Sequence, residues 1–277
     1  MTGRDSRIAE FNHSQRMIES NEKIKNSLNL SILKQKFYAD DPAAVPTSEA
    51  VYKTSITVTK NRTMEAGRYW SKKGNTAVLN FASATTPGGG VLKGSSAQEE
   101  CLCRVSTLWN CLNQDTCWHK YYKPNRDAAD VIHNSDIIYT PKVIVFKDDD
   151  YKVLEEKEYF YVDVITCAAP NLRDVPNNGW CNEGESNEAK FLSDEDLYKV
   201  HFARAIRILS VAAENKIKNL VLGAFGCGAF RNNPGVVAKA YKDALANVKC
   251  FENVEFAVYC KDYETVNYDT FKSVLEV

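Results

Sequence analysis

Residues 76–100 read TAVLNFASATTPGGGVLKGSSAQEE, and this stretch decides the fold class. Residues 76–83 form an apolar run of the length expected for a buried strand. The run Gly88-Gly89-Gly90 follows, and because glycines permit positive φ, backbone N–H groups can approach a ligand closely there. Gln98-Glu99-Glu100 then opens a predicted helix over residues 98–112. This strand–loop–helix order predicts that the glycines and both carboxylates lie together at the carboxyl edge of a sheet.

Strands and helices alternate along most of the remaining chain. Residues 4–33 have a helical period, residues 41–47 are predicted as a loop, and residues 168–192 as a long surface loop. The alternation predicts an α/β fold whose largely parallel sheet is covered by helices on both faces. The predicted strands are residues 55–59, 76–83, 137–146, 160–167, 219–225 and 254–260, and the predicted helices are residues 63–72, 98–112, 193–214, 235–248 and 265–275.

The composition is that of an ordinary globular protein. The chain has 277 residues, 44% of them hydrophobic, and a net charge of −1, so any nucleotide site must be local. Nine cysteines, an odd number without a recognisable secretory signal, favour free thiols, and we expect a cytoplasmic protein, or a nuclear one in a eukaryote. No apolar run reaches the length of a membrane span. No CxxC pair is present, and we expect neither a metal nor a cofactor.

A second glycine loop follows the predicted strand 219–225. Residues 223–234 read GAFGCGAFRNNP and lead into a helix. Gly226-Cys227-Gly228 offers backbone N–H donors beside the positive end of that helix, which suits a diphosphate. The loop is not a Walker loop, because no GK[ST] follows, and Arg231 stands where the Rossmann fingerprint requires its third glycine. A tight structural turn explains this loop equally well.

Glu99 and Glu100 have two interpretations. Acidic residues in the first turn of a helix are common, and each stabilises the helix by about 0.3–1 kcal/mol. Paired carboxylates are also what the cleavage of a glycosidic bond requires, since one donates a proton to the leaving oxygen and the other orients the sugar or the water. Their position beside a triple-glycine loop favours catalysis.

These motifs resemble a known family. Gly88-Gly89-Gly90, seven residues and then Gln98-Glu99-Glu100 is similar to the signature GGG-X6–8-QEE of poly(ADP-ribose) glycohydrolases, in the form of their bacterial-type branch. Residues 222–228 resemble the second loop of that branch, and the likeness extends from about residue 56 to residue 258.

The resemblance implies a macrodomain-like, three-layer αβα fold with a mixed sheet. Residues 1–50 would form an N-terminal helical extension and residues 51–277 the catalytic domain. It implies hydrolysis of ribose–ribose bonds in poly(ADP-ribose), releasing ADP-ribose without a metal or cofactor. By position, the catalytic acid would be Glu100, and Glu99 would hold ribose hydroxyls. The implied ligand-binding residues are Asn80 near the distal ribose, Gly88, Gly89 and Gly90 in the catalytic loop, Gln98, the diphosphate-lining Gly226, Cys227, Gly228 and Ala229, and Phe230 on the ribose.

Two alternatives remain open at this stage. A macrodomain could bind ADP-ribose without cleaving it, although a binding module has no need of an acid in this loop. A hydrolase could instead remove single ADP-ribose units from protein or nucleic acid. The expected partner in each case is ADP-ribose or its polymer on modified macromolecules, with no membrane and no dedicated nucleic-acid surface. The sequence Arg231-Asn232-Asn233-Pro234 departs from the usual Gly-Asn-Asp-Pro and puts the preference for polymer over monomer in doubt.

Overall fold

The computed structural model describes residues 3–41, 45–46, 51–177, 184–246 and 248–276. These residues form a seven-stranded sheet in the order β1-β4-β5-β3-β6-β7-β2. Strands β1 and β5 pair antiparallel with β4, and the other neighbouring strands run parallel. The sheet is therefore mixed, as the resemblance implied. The strands are β1 Lys36–Tyr38, β2 Ser55–Thr59, β3 Thr76–Ala82, β4 Ile137–Val145, β5 Phe160–Ala168, β6 Asn219–Leu222 and β7 Asn253–Ala257.

Helices cover both faces of the sheet. Successive side chains of β3 point to opposite faces, so Ala77 and Leu79 join the apolar core on one face while Val78 joins the core on the other. This confirms the three-layer αβα arrangement. The helices are α1 Gly3–Ser20, α2 Glu22–Leu33, α3 Thr63–Ser71, α4 Gln98–Val105, α5 Leu108–Leu112, α6 Asp115–Cys117, α7 Lys123–Ala128, α8 Asp194–Glu214, α9 Pro234–Leu245 and α10 Val266–Leu275.

Two predicted helices are each divided in the structure. The helix predicted over residues 4–33 breaks at Asn21, whose side chain caps α2 by accepting a hydrogen bond from the Ile24 N–H at 3.1 Å. The helix predicted over residues 98–112 breaks at Ser106, which is extended and bridges to Val145 of β4. In both cases a short polar side chain replaces helical hydrogen bonds with its own.

The N-terminal residues join the same sheet through β1, which pairs with β4. This three-residue strand was not predicted, because it is too short to display a period of two. The helical turns within residues 115–128 were not predicted either, because each is too short to display a helical period. The domain division at residue 50 stays a prediction. Parts of the predicted loops, residues 42–44, 47 and 178–183, lie outside the described residues.

None of the described helices combines the length and the apolar character needed to cross a membrane.

Helix α1 is attached by a buried cation to the segment that follows β4. The Lys147 side chain is fully buried, and its Nζ contacts the Glu10 carboxylate at 2.9 Å, while the Glu10 side chain is 33% exposed. Burial lowers the pKa of Lys147, and Glu10 partly offsets that effect. Removing one partner of a buried ion pair leaves an uncompensated charge.

We therefore expect Glu10→Ala to lower the free energy of unfolding by about 2 kcal/mol, below the range for fully buried pairs because Glu10 is partly exposed. The double variant Glu10→Ala/Lys147→Met should recover most of that loss, since no buried charge remains. Chemical denaturation of the wild type and both variants measures these values. A single variant as stable as the wild type would contradict this account of the contact.

Candidate active site

A cavity of about 610 Å³ opens at the carboxyl edge of the parallel strands. Residues that follow β3, β5, β6 and β7 line it, and both glycine loops contribute, through Gly89 and Gly228. The two loops therefore meet over one edge of the sheet, and the first of them lies at the carboxyl edge as predicted.

Glu100 lies on the cavity wall with one oxygen uncommitted. Its Oε1 accepts a hydrogen bond from the Gly90 N–H at 2.9 Å, whereas its Oε2 is buried without a hydrogen-bond partner among the described residues. Burial raises the pKa of Glu100, and the Gly90 N–H and the Arg104 cation only partly oppose that shift. A buried carboxyl with a free oxygen is suited to hold a proton and to donate it.

Glu99 is also buried on this wall, but both of its oxygens have donors. Oε1 accepts from the Asn80 amide at 3.1 Å, and Oε2 accepts from the Ser83 N–H at 2.8 Å. Burial and the neighbouring Glu100 charge raise the pKa of Glu99 to about 8. Protonation of Glu100 removes the neighbouring charge that helps to raise the pKa of Glu99, and the two N–H donors of Glu99 favour its carboxylate form. When the pair holds a single proton, the geometry therefore assigns that proton to Glu100 and the negative charge to Glu99.

Gly89 permits both carboxyl groups to approach one point. Its φ is +56°, and a Cβ built on it would lie 2.7 Å from Glu100 Oε1 and 3.0 Å from Glu99 Oε2. Gly88 also has a positive φ, and its Cβ would lie 2.6 Å from the indole of Trp109. A side chain at either position would displace the groups that the loop holds in place.

Asn80 and Gln98 lie behind the carboxylates. Asn80 is fully buried, does not line the cavity, and donates to Glu99. Gln98 reaches the cavity but uses its amide to fix the strand, accepting from the Phe81 N–H at 2.9 Å and donating to the Leu79 carbonyl at 2.7 Å. In this structure both residues position the start of α4, and their predicted contacts with a ligand stay predictions.

The second loop presents backbone to the cavity. Gly226 requires its positive φ of +77° and its small size, because a Cβ would lie 2.7 Å from Ala169 Cβ. Gly228 faces open space, with no atom within 4 Å of a Cβ built on it. Gly226, Gly228, Ala229 and Phe230 line the cavity. The Cys227 side chain does not, and its thiol, whose pKa burial raises, contacts the Phe225 carbonyl at 3.6 Å.

Phe230 has cationic and aromatic neighbours that sequence reasoning did not single out. The Arg173 guanidinium lies over its ring at 5.4 Å, and both side chains line the cavity. The His133 ring lies 6.2 Å away, bonded to the buried Glu185 at 3.0 Å and to the Ala169 carbonyl at 2.8 Å. These residues lie in irregular segments, where no periodic pattern marks them.

Arg231 points away from the cavity. It has a positive φ of +58°, and its guanidinium contacts the exposed Asp174 carboxylate. Arg231 is therefore not among the cavity-lining residues, and Arg173 is the arginine that lies beside the second loop.

Another part of the cavity wall carries charged side chains that were not predicted from the sequence. Arg62 contacts Asp150 at 2.7 Å, and its guanidinium lies over the Tyr259 ring at 4.8 Å. Asp149 lines the same wall, and burial together with Glu65 raises its pKa to about 7. Within the described residues, no three or more His, Cys, Asp or Glu side chains are grouped to hold a metal ion.

The comparisons with known proteins agree with this geometry. The profile of the family described as microbial-type PARG, catalytic domain, matches residues 7–148. No match was found among the curated proteins.

Solved structures extend the similarity over nearly the whole chain. Poly(ADP-ribose) glycohydrolase from Thermomonospora curvata is 28% identical with a TM-score of 0.82, and the alignment covers 98% of this chain and 99% of that one. The same protein bound to the inhibitor ADP-HPD is 27% identical with a TM-score of 0.80, covering 97% and 99%. The Deinococcus radiodurans enzyme in complex with ADP-ribose is 32% identical with a TM-score of 0.74, covering 90% and 97%. The chain therefore belongs to the microbial-type PARG catalytic domain family.

Proposed function

We propose that this protein is a poly(ADP-ribose) glycohydrolase that hydrolyses the ribose–ribose bond and releases ADP-ribose. The observation that carries the proposal is the convergence of two buried carboxyl groups on Gly89, in a cavity whose other wall is a second glycine loop. A module that only bound ADP-ribose would gain nothing from burying an acid at this point, because burial of a carboxylate is costly.

The proposed reaction begins with a proton on Glu100. Its carboxyl group donates that proton to the ribose oxygen that leaves, while the bond from the anomeric carbon to that oxygen breaks through an oxocarbenium-like state. Water then adds to the anomeric carbon, and the Glu100 carboxylate takes a proton from it, which restores the acid. The products are free ADP-ribose and a chain shorter by one unit.

Glu99 has a different task in this scheme. As a carboxylate it accepts hydrogen bonds from ribose hydroxyls and stabilises the positive charge that develops on the sugar. The Asn80 amide and the Ser83 N–H hold its two oxygens at 3.1 and 2.8 Å. Asn80 is thus proposed as a positioning residue that acts through Glu99.

The second loop is the proposed diphosphate site. Gly228 and Ala229 line the cavity in the loop that leads to α9, and successive backbone N–H groups of such a loop favour an anion. The Arg173 cation beside Phe230 adds positive charge at the same wall.

The proposed partner is ADP-ribose polymer on modified macromolecules. We also propose a cytoplasmic location, which rests only on the odd number of nine cysteines.

Replacing Glu100 is the direct test of the mechanism. Glu100→Gln retains the shape but not the proton, so release of ADP-ribose from automodified polymer should fall by at least about 10²-fold. Affinity for free ADP-ribose, measured by calorimetry, should survive. Glu195→Gln in the first turn of α8, where the side chain is 77% exposed, is the matched control and should retain full activity. A fully active Glu100→Gln enzyme would remove Glu100 from the mechanism.

The raised pKa of Glu99 predicts a pH-dependent cost in stability. Burial raises the pKa of both carboxyls, and with Glu100 charged it raises that of Glu99 to about 8, so the folded pair retains one proton up to that range, whereas both groups of the unfolded chain ionise near 4.5. Stability that depends on the ionisation of this pair is therefore lost as pH rises from about 4.5 to 8. We expect Glu99→Gln to raise the free energy of unfolding by on the order of a few kcal/mol at pH 8, and by little at pH 4.5. Equal melting temperatures of both proteins at pH 8 would contradict this.

Two glycine substitutions separate ligand binding from folding. Gly228→Ala adds a methyl group in open space on the cavity wall, so we expect an unchanged melting temperature and an affinity for ADP-ribose weaker by about tenfold, the equivalent of 1.4 kcal/mol. Gly226→Ala forces a Cβ against Ala169 at positive φ and should lower the melting temperature. If Gly228→Ala binds ADP-ribose as the wild type does, the second loop does not hold the diphosphate.

A further inference from the structure

A second cavity of about 530 Å³ lies at the opposite edge of the sheet. It is lined by the first residues of β3 and β5, by the end of α3, and by Lys142 of β4. We call it the basal groove and define it by Arg68, Lys72, Asn75, Lys142, Lys157 and Tyr161. It includes none of the residues that line the catalytic cavity.

Cationic side chains dominate the basal groove. Arg68, Lys72, Lys142 and Lys157 line it, against a single carboxylate, Glu158, which Arg68 already pairs at 2.8 Å. Lys157 pairs with Glu155, but both side chains are more than two-thirds exposed, so solvent screens that pair strongly. Because the chain as a whole has a net charge of −1, this excess of positive charge is local.

Lys142 is directed at the groove by a strained bulge. The register of β4 against β5 shifts between Thr140 and Val143, and Lys142 has a φ of +54°, which lysine seldom adopts. The buried Asp163 accepts from its N–H at 2.8 Å, and its Nζ contacts the Asn75 side chain at 3.2 Å. Bulges and strained residues of this kind often re-aim a side chain for function.

Aromatic side chains accompany the cations. Tyr159, Phe160 and Tyr161 line the groove, and Tyr161 is 36% exposed. Cations that contact phosphates, together with aromatic rings on which bases stack, are the features that bind flexible single-stranded polyanions.

We infer that the basal groove binds an internal segment of the poly(ADP-ribose) chain whose end enters the catalytic cavity. This inference rests on the proposed function. Each repeat of that polymer carries a diphosphate for the lysines and an adenine for Tyr161. The seven residues of β3 separate the two edges by about 23 Å, at 3.3 Å per residue. A chain held at both edges gains a high effective concentration of its end at the cavity, which favours this polymer over an unrelated nucleic acid.

The test removes positive charge from the basal groove and compares that variant with one that loses the same charge elsewhere on the surface. The groove variant is Lys72→Gln/Lys142→Gln/Lys157→Gln, and the control is Lys199→Gln/Lys239→Gln/Lys272→Gln, which removes the same charge from helices α8, α9 and α10. Both are made with Glu100→Gln to prevent hydrolysis. The probes are long, size-fractionated poly(ADP-ribose) chains and free ADP-ribose.

We expect the groove variant to bind long chains about tenfold more weakly, with the slope of log K against log salt reduced by about 2, since each lost phosphate contact contributes about 0.7 for single strands. The control should bind as the parent does. All three proteins should bind free ADP-ribose equally. With Glu100 restored, the groove variant should hydrolyse long chains more slowly than the control and short chains at the same rate.

Equal affinity of the groove and control variants for long chains overturns the inference. It is also overturned if a single-stranded oligonucleotide of matched charge binds the groove more tightly than the polymer does, because the groove then serves a nucleic acid. Lys142→Asn alone, which suits a positive φ, repeats the test if the triple variant has a lower melting temperature. Failure of the parent protein to bind free ADP-ribose contradicts the proposed function itself.

Discussion

The burial of two adjacent carboxyl groups under one glycine is the constraint on which the rest of this structure depends. Glu99 and Glu100 are each 3% exposed, and their burial opposes ionisation of both. Such a pair persists only if the surrounding structure supplies donors and rigidity. The loop from Ser83 to Gly90 provides both, because its first and last N–H groups bond to one carboxylate each. The triple glycine lets those two donors lie close enough to do so.

The N-terminal helices complete this support from outside the loop. Arg7 of α1 donates to the Gly94 carbonyl at 2.6 Å, just beyond the catalytic loop, and Ser14 donates to the Arg104 carbonyl at 2.5 Å near the end of α4. Arg104 in turn lowers the pKa of Glu100, although less than burial raises it. Helix α1 therefore contacts both ends of the segment that carries the acid, so its packing affects the geometry of the site as well as stability.

The sequence predicted the parts of the molecule that depend on local patterns. The run 76–83 is observed as β3 Thr76–Ala82, and Glu99 and Glu100 begin α4 as expected. The predictions that were wrong concern features set by tertiary contacts. One is the continuous helix predicted over residues 98–112, which breaks at Ser106 because that residue pairs with Val145. Arg173 and Arg62 could not be assigned to the cavity because irregular segments place them there. Full burial behind Glu99 gives Asn80 a supporting contact that a strand pattern does not reveal, while its expected contact with the ribose stays a prediction.

The two edges of the sheet offer an anion different kinds of partner. At the carboxyl edge the donors of the proposed diphosphate site are backbone N–H groups of glycine loops, whose directions are fixed, so they would select one position of a diphosphate and one orientation of the ribose against Glu100. At the opposite edge the partners are the long lysine side chains of the basal groove, which act as mobile point charges and tolerate many positions of a chain. Cleavage of the scissile bond requires the fixed backbone donors, because a displacement of about 1 Å at that bond greatly lowers the rate. Holding a polymer that shortens by one unit at each turnover requires the mobile lysine side chains instead. A contact of fixed geometry between the groove and the polymer would have to break every time the chain advanced.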